Sequence, residues 1–82
     1  MMIDFSASWC GPCKRIYPLI KSLSDQYLDM VVCKVDIDEV PELAKQFSVQ
    51  SMPTFIFIKN GEIVEEFSGA DRDRLVNAFA SQ

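Results

Sequence analysis

The 82-residue chain predicts an α/β fold built on one mixed sheet, with residues 1–82 forming a single domain. Three observations lead there. Apolar spacing alternates between the strand period and the helix period in the order β-α-β-α-β-β-α. A helix-length segment separates the first two strands, as a parallel crossover requires. Asn60-Gly61 joins two strand-like runs and is a type I′ hairpin signal, which adds an antiparallel edge. With 49% hydrophobic residues the chain is globular rather than disordered. Its length admits one small core of marginal stability, because small domains bury a lower fraction of their surface.

Taken in order, residues 1–7 read as a short, mostly apolar strand interrupted by one carboxylate, Asp4. Residues 11–28 read as a helix, with Ile16, Ile20, Leu23 and Tyr27 at helical spacing. Pro12 suits its first turn, where a missing amide has no intrahelical partner to lose. Pro18 lies in its interior, and a kink is expected there because the apolar period continues past it. Lys14 and Arg15 read as a solvated face. Residues 30–36 are a β-branched strand carrying Cys33, which reads as a small buried hydrophobe, and Lys34, which points to the other face. Asp36 to Glu39 leads into a helix at about 39–47 with Leu43, Ala44 and Phe47 on its apolar face. A calcium loop is rejected for these acids, since the ligand spacing, central Gly and closing Glu are missing. Thr54 to Lys59 is apolar on both faces and follows Pro53, a strand-start signal. Residues 62–67 return antiparallel, and Glu62, Glu65 and Glu66 suit an exposed edge. The last helix runs from about 71 to 80, with Asp71 as N-cap and Leu75, Val76 and Phe79 as its buried stripe.

The chemistry concentrates in Cys10-Gly11-Pro12-Cys13, where the first strand hands over to the first helix. Unpaired N–H groups and the macrodipole at a helix N-terminus favour negative charge. There a cysteine pKa falls from about 8.5 into a range of roughly 3.5–7.5, so that Cys10 is available as a thiolate nucleophile. Cys13, one turn further in, is placed to resolve the mixed disulfide that Cys10 forms. Zinc is disfavoured because the chain has three Cys and no His, where a site wants four ligands. A purely structural disulfide is disfavoured because so short a loop constrains the unfolded chain least. For Asp4 two readings stand. One is a solvated strand residue; the other is a buried carboxylate beneath the cysteines whose raised pKa lets it accept the Cys13 proton.

Charge and hydropathy exclude other classes. The net charge is −4 with no run of Lys or Arg, so no nucleic-acid footprint is present. The longest apolar run, Phe55 to Ile58, is too short to span a bilayer, so no membrane partner is expected. Met1-Met2-Ile3 leads straight to Asp4 without the pattern of a signal peptide. A cytoplasmic location is therefore expected, and there a CxxC pair is more often catalytic than structural.

The segment Asp4-Phe5-Ser6-Ala7-Ser8-Trp9-Cys10-Gly11-Pro12-Cys13-Lys14 resembles the active-site segment of thioredoxins, most of all the cytosolic eukaryotic type. Val35-Asp36-Ile37-Asp38-Glu39, Met52-Pro53 and Gly69-Ala70 extend the resemblance along the chain. Thioredoxins are themselves a known instance of the lowered CxxC pKa, so that magnitude belongs to the family. The resemblance implies a minimal thioredoxin fold with sheet order 2-1-3-4, helices one and three on one face and helix two on the other. It implies a protein-disulfide reductase working in electron transport and cell redox homeostasis through a redox-active Cys10–Cys13 disulfide. No bound cofactor or metal is implied; an NADPH-dependent thioredoxin reductase would restore the dithiol. Asp4 becomes the proton acceptor, and Lys34 pairs with it and tunes its pKa. Trp9, Gly11, Pro12, Met52, Pro53, Gly69 and Ala70 become a docking groove for disulfide-containing proteins. The Met52–Pro53 bond is expected to be cis on the resemblance alone, since only about 5–6% of X–Pro bonds are cis.

Thioredoxins carry a further strand and helix before the Asp4 strand, and the sequence here starts after them. An exposed 30–36 edge, lowered stability and a monomer with some tendency to pair through that edge are the corresponding expectations. A redox-inactive binding module, stabilised as a partner subunit, is the alternative class. A glutaredoxin-like enzyme is a third reading, for which the Trp-Cys-Gly-Pro-Cys insert is wrong.

Overall fold

The computed structural model describes all 82 residues. The elements are β1 (Met2–Ser6), α1 (Gly11–Gln26), β2 (Val32–Asp36), α2 (Pro41–Gln46), β3 (Thr54–Lys59), β4 (Glu62–Ser68) and α3 (Arg72–Ser81). The four strands form one sheet in the order β2-β1-β3-β4. β1 runs parallel to β2 and antiparallel to β3, and β3 pairs antiparallel with β4. At the β3–β4 turn both Asn60 and Gly61 have positive φ, as a type I′ turn demands.

Alternation along each strand divides the core between two faces. Met2, Phe55, Phe57 and Phe67 pack with Ile16, Ile20 and Leu23 of α1 and Leu75, Ala78 and Phe79 of α3. Phe57 meets Phe79 edge to face at 5.6 Å between ring centroids, a favoured aromatic geometry. The other face carries Ile3, Phe5 and Ile56 under Leu43 and Ala44 of the shorter α2 and its C-cap Phe47. Helices one and three therefore share one face and helix two takes the other, as expected.

Four boundaries and burials differ from the sequence expectation. α1 ends at Gln26 rather than 28, because Tyr27 is its C-cap and donates to the Leu23 carbonyl at 2.8 Å. β2 begins at Val32 because Met30 donates to the Tyr27 carbonyl and belongs to the preceding turn. α2 is only six residues long. Asp36 closes a turn ahead of it, its carbonyl accepting from Glu39 and Val40, and Pro41 then occupies the first helical position. In α3 the stripe is Leu75, Ala78 and Phe79, whereas Val76 is exposed. Asp71 caps that helix as expected, accepting from the Arg74 amide at 3.1 Å. Pro18 sits inside α1, which continues past it.

The burial difference in α3 has a measurable consequence. Leu75→Ala removes a fully buried side chain and is expected to destabilise by about 2–5 kcal/mol. Val76→Ala, a surface change one residue away, is expected to stay within about 0.5 kcal/mol. Urea unfolding of both variants reads the difference directly.

Candidate active site

β1 ends at Ser6, and Ala7-Ser8-Trp9 turns the chain into α1, with the Cys10 amide donating to the Ala7 carbonyl at 3.1 Å. Cys10 is the N-cap of α1, and its Sγ accepts from the Cys13 amide at 3.2 Å. The helix thus directs one of its orphan N–H groups at the first sulfur. Cys10 and Cys13 are joined as a disulfide with their Cα atoms 5.3 Å apart. Both are buried, against Ala7, Ile37 and Met52.

The other residues expected in a docking groove lie on two further segments and in the turn before Cys10. Met52–Pro53 is cis, Pro53 is buried and Met52 packs against the cysteine cluster. The Gly69 amide donates to the Pro53 carbonyl at 2.9 Å, which ties Gly69-Ala70 to the same rim. Gly69 has φ +98°, a conformation that L side chains rarely adopt. Trp9 is 65% exposed, and its indole Nε1 donates to Asp38 Oδ2 at 3.0 Å. Asp38 is oriented in turn by its own amide, which donates to Asp36 Oδ1 at 2.8 Å. Sequence reasoning missed Asp38, which it placed at a helix start; no spacing rule links it to Trp9.

Asp4 is buried, 3% exposed, and lies on the α1 face of β1 together with Met2. Its Oδ1 has no hydrogen-bond partner. Burial pushes its carboxyl up to about 6, while the positive charge of Lys34 pulls the other way. Lys34 is the register partner of Asp4 across the β1–β2 pair. Its ammonium makes no ion pair with Asp4; it lies 4.6 Å from the centroid of the Tyr17 ring. Tyr17 is a second residue the sequence reading passed over, although it lies four after Cys13 and so on the same helix face. A cavity of about 260 Å³ lies beside these groups, lined by Cys13, Tyr17, Lys34 and Asp36. A larger one, about 400 Å³ between Met1, Tyr27, Ile58 and Phe79, contains neither cysteine. Cys33 is a free thiol and half-buried rather than fully buried, since β2 is the outer strand of the sheet.

The family model for thioredoxin matches residues 1–81. The chain belongs to the thioredoxin family. It is 47% identical over 75 residues to thioredoxin H2 of Arabidopsis thaliana, covering 92% of this chain and 56% of that protein. Against the thioredoxin of Gallus gallus it is 46% identical over 81 residues, covering 99% of this chain and 77% of the relative. Among solved structures, the germline-specific thioredoxin Deadhead of Drosophila melanogaster superposes with a TM-score of 0.94 at 42% identity. That match covers 98% of this chain and 77% of Deadhead. Oxidised mitochondrial thioredoxin 3 of Saccharomyces cerevisiae gives 0.94 at 38% identity, over 99% and 76% of the two chains. Family and disulfide together make the protein a thiol–disulfide oxidoreductase of the eukaryotic thioredoxin type. No helix is long and apolar enough to cross a membrane.

The Asp4 environment fixes a pH dependence of thioredoxin stability. The carboxyl titrates near 6 when folded, against an ordinary value of 3.8. Between those values the folded state holds the extra proton, so stability is highest below about 4 and falls as pH rises through 6. The loss amounts to about 3 kcal/mol on the ordinary conversion of pKa difference to free energy. Asp4→Asn removes it and is expected to unfold at higher urea than the parent at pH 7.5, with the gap closing by pH 3.5.

Proposed function

We propose that this thioredoxin reduces disulfides in protein substrates in the cytoplasm. The observation that carries this reading is Cys10 as the N-cap of α1, with the Cys13 amide on its sulfur. When the pair is reduced, that donor and the helix dipole favour the Cys10 thiolate. The thiolate attacks one sulfur of the substrate disulfide; the S–S bond breaks, and the second substrate sulfur leaves as a thiolate that takes a proton from water. The product is a mixed disulfide on Cys10. Cys13 then loses its proton to Asp4 through water and attacks the Cys10 sulfur. The mixed disulfide breaks, the substrate leaves as a dithiol, and two electrons have passed from the protein to it.

The placement of each residue supports its proposed role. Asp4 is the proton acceptor: a carboxyl that titrates near 6 is ionised at neutral pH and is a better base than an ordinary aspartate. Lys34 tunes that carboxyl through its charge. Trp9, Gly11, Pro12, Met52, Pro53, Gly69 and Ala70 line the docking groove, where Met52 offers backbone groups to an extended peptide. An NADPH-dependent thioredoxin reductase returns the disulfide to the dithiol, and the protein carries no cofactor of its own. It acts as a monomer. The intact cysteine pair leaves the alternative, a redox-inactive partner subunit, without a supporting observation.

Turbidity of insulin in dithiothreitol tests the activity. The parent protein is expected to accelerate precipitation, and Cys10→Ser to lose the acceleration. Equal rates for parent and Cys10→Ser contradict the reading. Cys13→Ser is expected to accumulate a mixed disulfide with the substrate, visible as a mass shift that dithiothreitol reverses. Asp4→Asn is expected to slow the resolving step about 10²–10⁴-fold near neutral pH, the range of a lost general base.

A further inference from the structure

The buried carboxyl has a lysine on the adjacent strand and yet remains unpaired. Asp4 and Lys34 are register partners in parallel strands, and both side chains point to the α1 face. The lysine stem is long enough to bring its ammonium to the carboxyl. Instead the Nζ lies 4.6 Å over the Tyr17 ring, and Asp4 Oδ1 has no partner. Tyr17 is 44% exposed and four residues beyond Cys13 on α1, beside the cavity that Cys13 and Lys34 also line. We infer that Tyr17 is a positioning residue that holds the Lys34 ammonium off the Asp4 carboxyl and so keeps that carboxyl unpaired.

The physical preference is a choice between two environments for one ammonium. Over an exposed aromatic face it gains the attraction of the ring quadrupole and keeps water on its other side. In contact with Asp4 it gains a stronger Coulomb attraction but loses that water, and the two effects nearly cancel for a buried pair. A ring in the right place is then enough to decide the position. The other charged and titratable groups facing this space do not replace it. From α1 they are Cys13, Lys14 and Tyr17 itself; from β2 they are Lys34 and Asp36. Asp36 Oδ1 is engaged by the Asp38 amide, and the β3 partner of Asp4 is Phe55, which carries no charge. The consequence rests on Asp4 as proton acceptor. An unpaired carboxylate is a stronger base toward the Cys13 thiol than one in contact with an ammonium, which lowers a carboxyl pKa.

The test is the side-chain carboxyl carbon of Asp4, followed by ¹³C NMR against pH in the 82-residue chain. Tyr17→Phe keeps the ring and is expected to titrate like the parent. Tyr17→Leu keeps bulk without a π face and is expected to lower the midpoint by about one unit, the effect of an opposite charge brought within contact. In the Lys34→Met background the same Leu change is expected to shift nothing. An unchanged or raised midpoint in Tyr17→Leu overturns the inference, as does an equal drop in Tyr17→Phe or a drop that persists without Lys34. Position 17 is exposed, so the variants are expected to keep the parent's fold, which far-ultraviolet circular dichroism checks. The midpoint is read from the carboxyl itself and does not depend on turnover. The role of Asp4 as acceptor fails separately, if Asp4→Asn leaves the resolving rate and its pH profile unchanged.

Discussion

Five consecutive buried residues, Met2 to Ser6, pair with β2 along one edge and β3 along the other, and nearly everything at the site takes its position from them. Parity along this strand sends Ile3 and Phe5 to the face under α2 and leaves Met2 and Asp4 on the face under α1. A slip of one residue would put an apolar side chain in the place of Asp4 and drive a carboxylate among Ile56, Leu43 and Phe47. Apolar packing on both faces therefore fixes the register, and the register fixes which side of the sheet holds the charge. The end of the same strand delivers Cys10 to the first turn of α1. The acid is thus placed by one five-residue element, and the same element brings the thiols to the helix end where the cap bond holds them.

Much of this was legible in the sequence because it rests on local rules. The Asn60-Gly61 turn, the Asp71 cap and Pro12 in the first turn each need only a few neighbouring residues, and each stands where expected. The cysteine pair needed only its spacing and the apolar period that follows it. What was not legible depends on packing or on distant partners. α2 contracted because Asp36 closes a turn with Glu39 and Val40, a competition between turn and helix that composition does not rank. Val76 faces out while Ala78 packs in the core, a choice between neighbouring helix positions that only the packing of α3 on the sheet decides. The bond from Trp9 to Asp38 spans 29 positions and follows from no periodicity. Lys34 was placed on the correct face, but its ammonium went to a ring on another element, which strand pattern cannot foresee.

The two thiols occupy different electrostatic settings although they are three residues apart. Cys10 sits at the end of the helix, where an amide hydrogen points at its sulfur and negative charge is welcome. Cys13 lies inside the first turn, on the helix face shared with Ile16 and Tyr17 and turned toward the sheet. Its own sulfur accepts no hydrogen bond, and its amide is the donor to Cys10. In the proposed cycle this asymmetry assigns the order of events. The sulfur that the helix already stabilises as an anion attacks first, and the sulfur that lacks such stabilisation waits for a base. A buried carboxyl is suited to that second step because desolvation raises its proton affinity, although the same desolvation costs stability once the group is ionised.

That arrangement sets a conflict between stability and reactivity in one residue. A carboxyl fully paired with Lys34 would be cheaper to bury but a poorer proton acceptor; a carboxyl with no charge nearby would stay protonated to higher pH and accept nothing at neutrality. With the Lys34 ammonium at a distance, over the Tyr17 ring, its charge offsets the effect of burial only in part and the group titrates near 6. The device that sets this distance need not lie in the core. Tyr17 is at the surface of α1, where a substitution alters little packing, so the basicity of the buried group is adjustable from outside without disturbing the strand register that placed it.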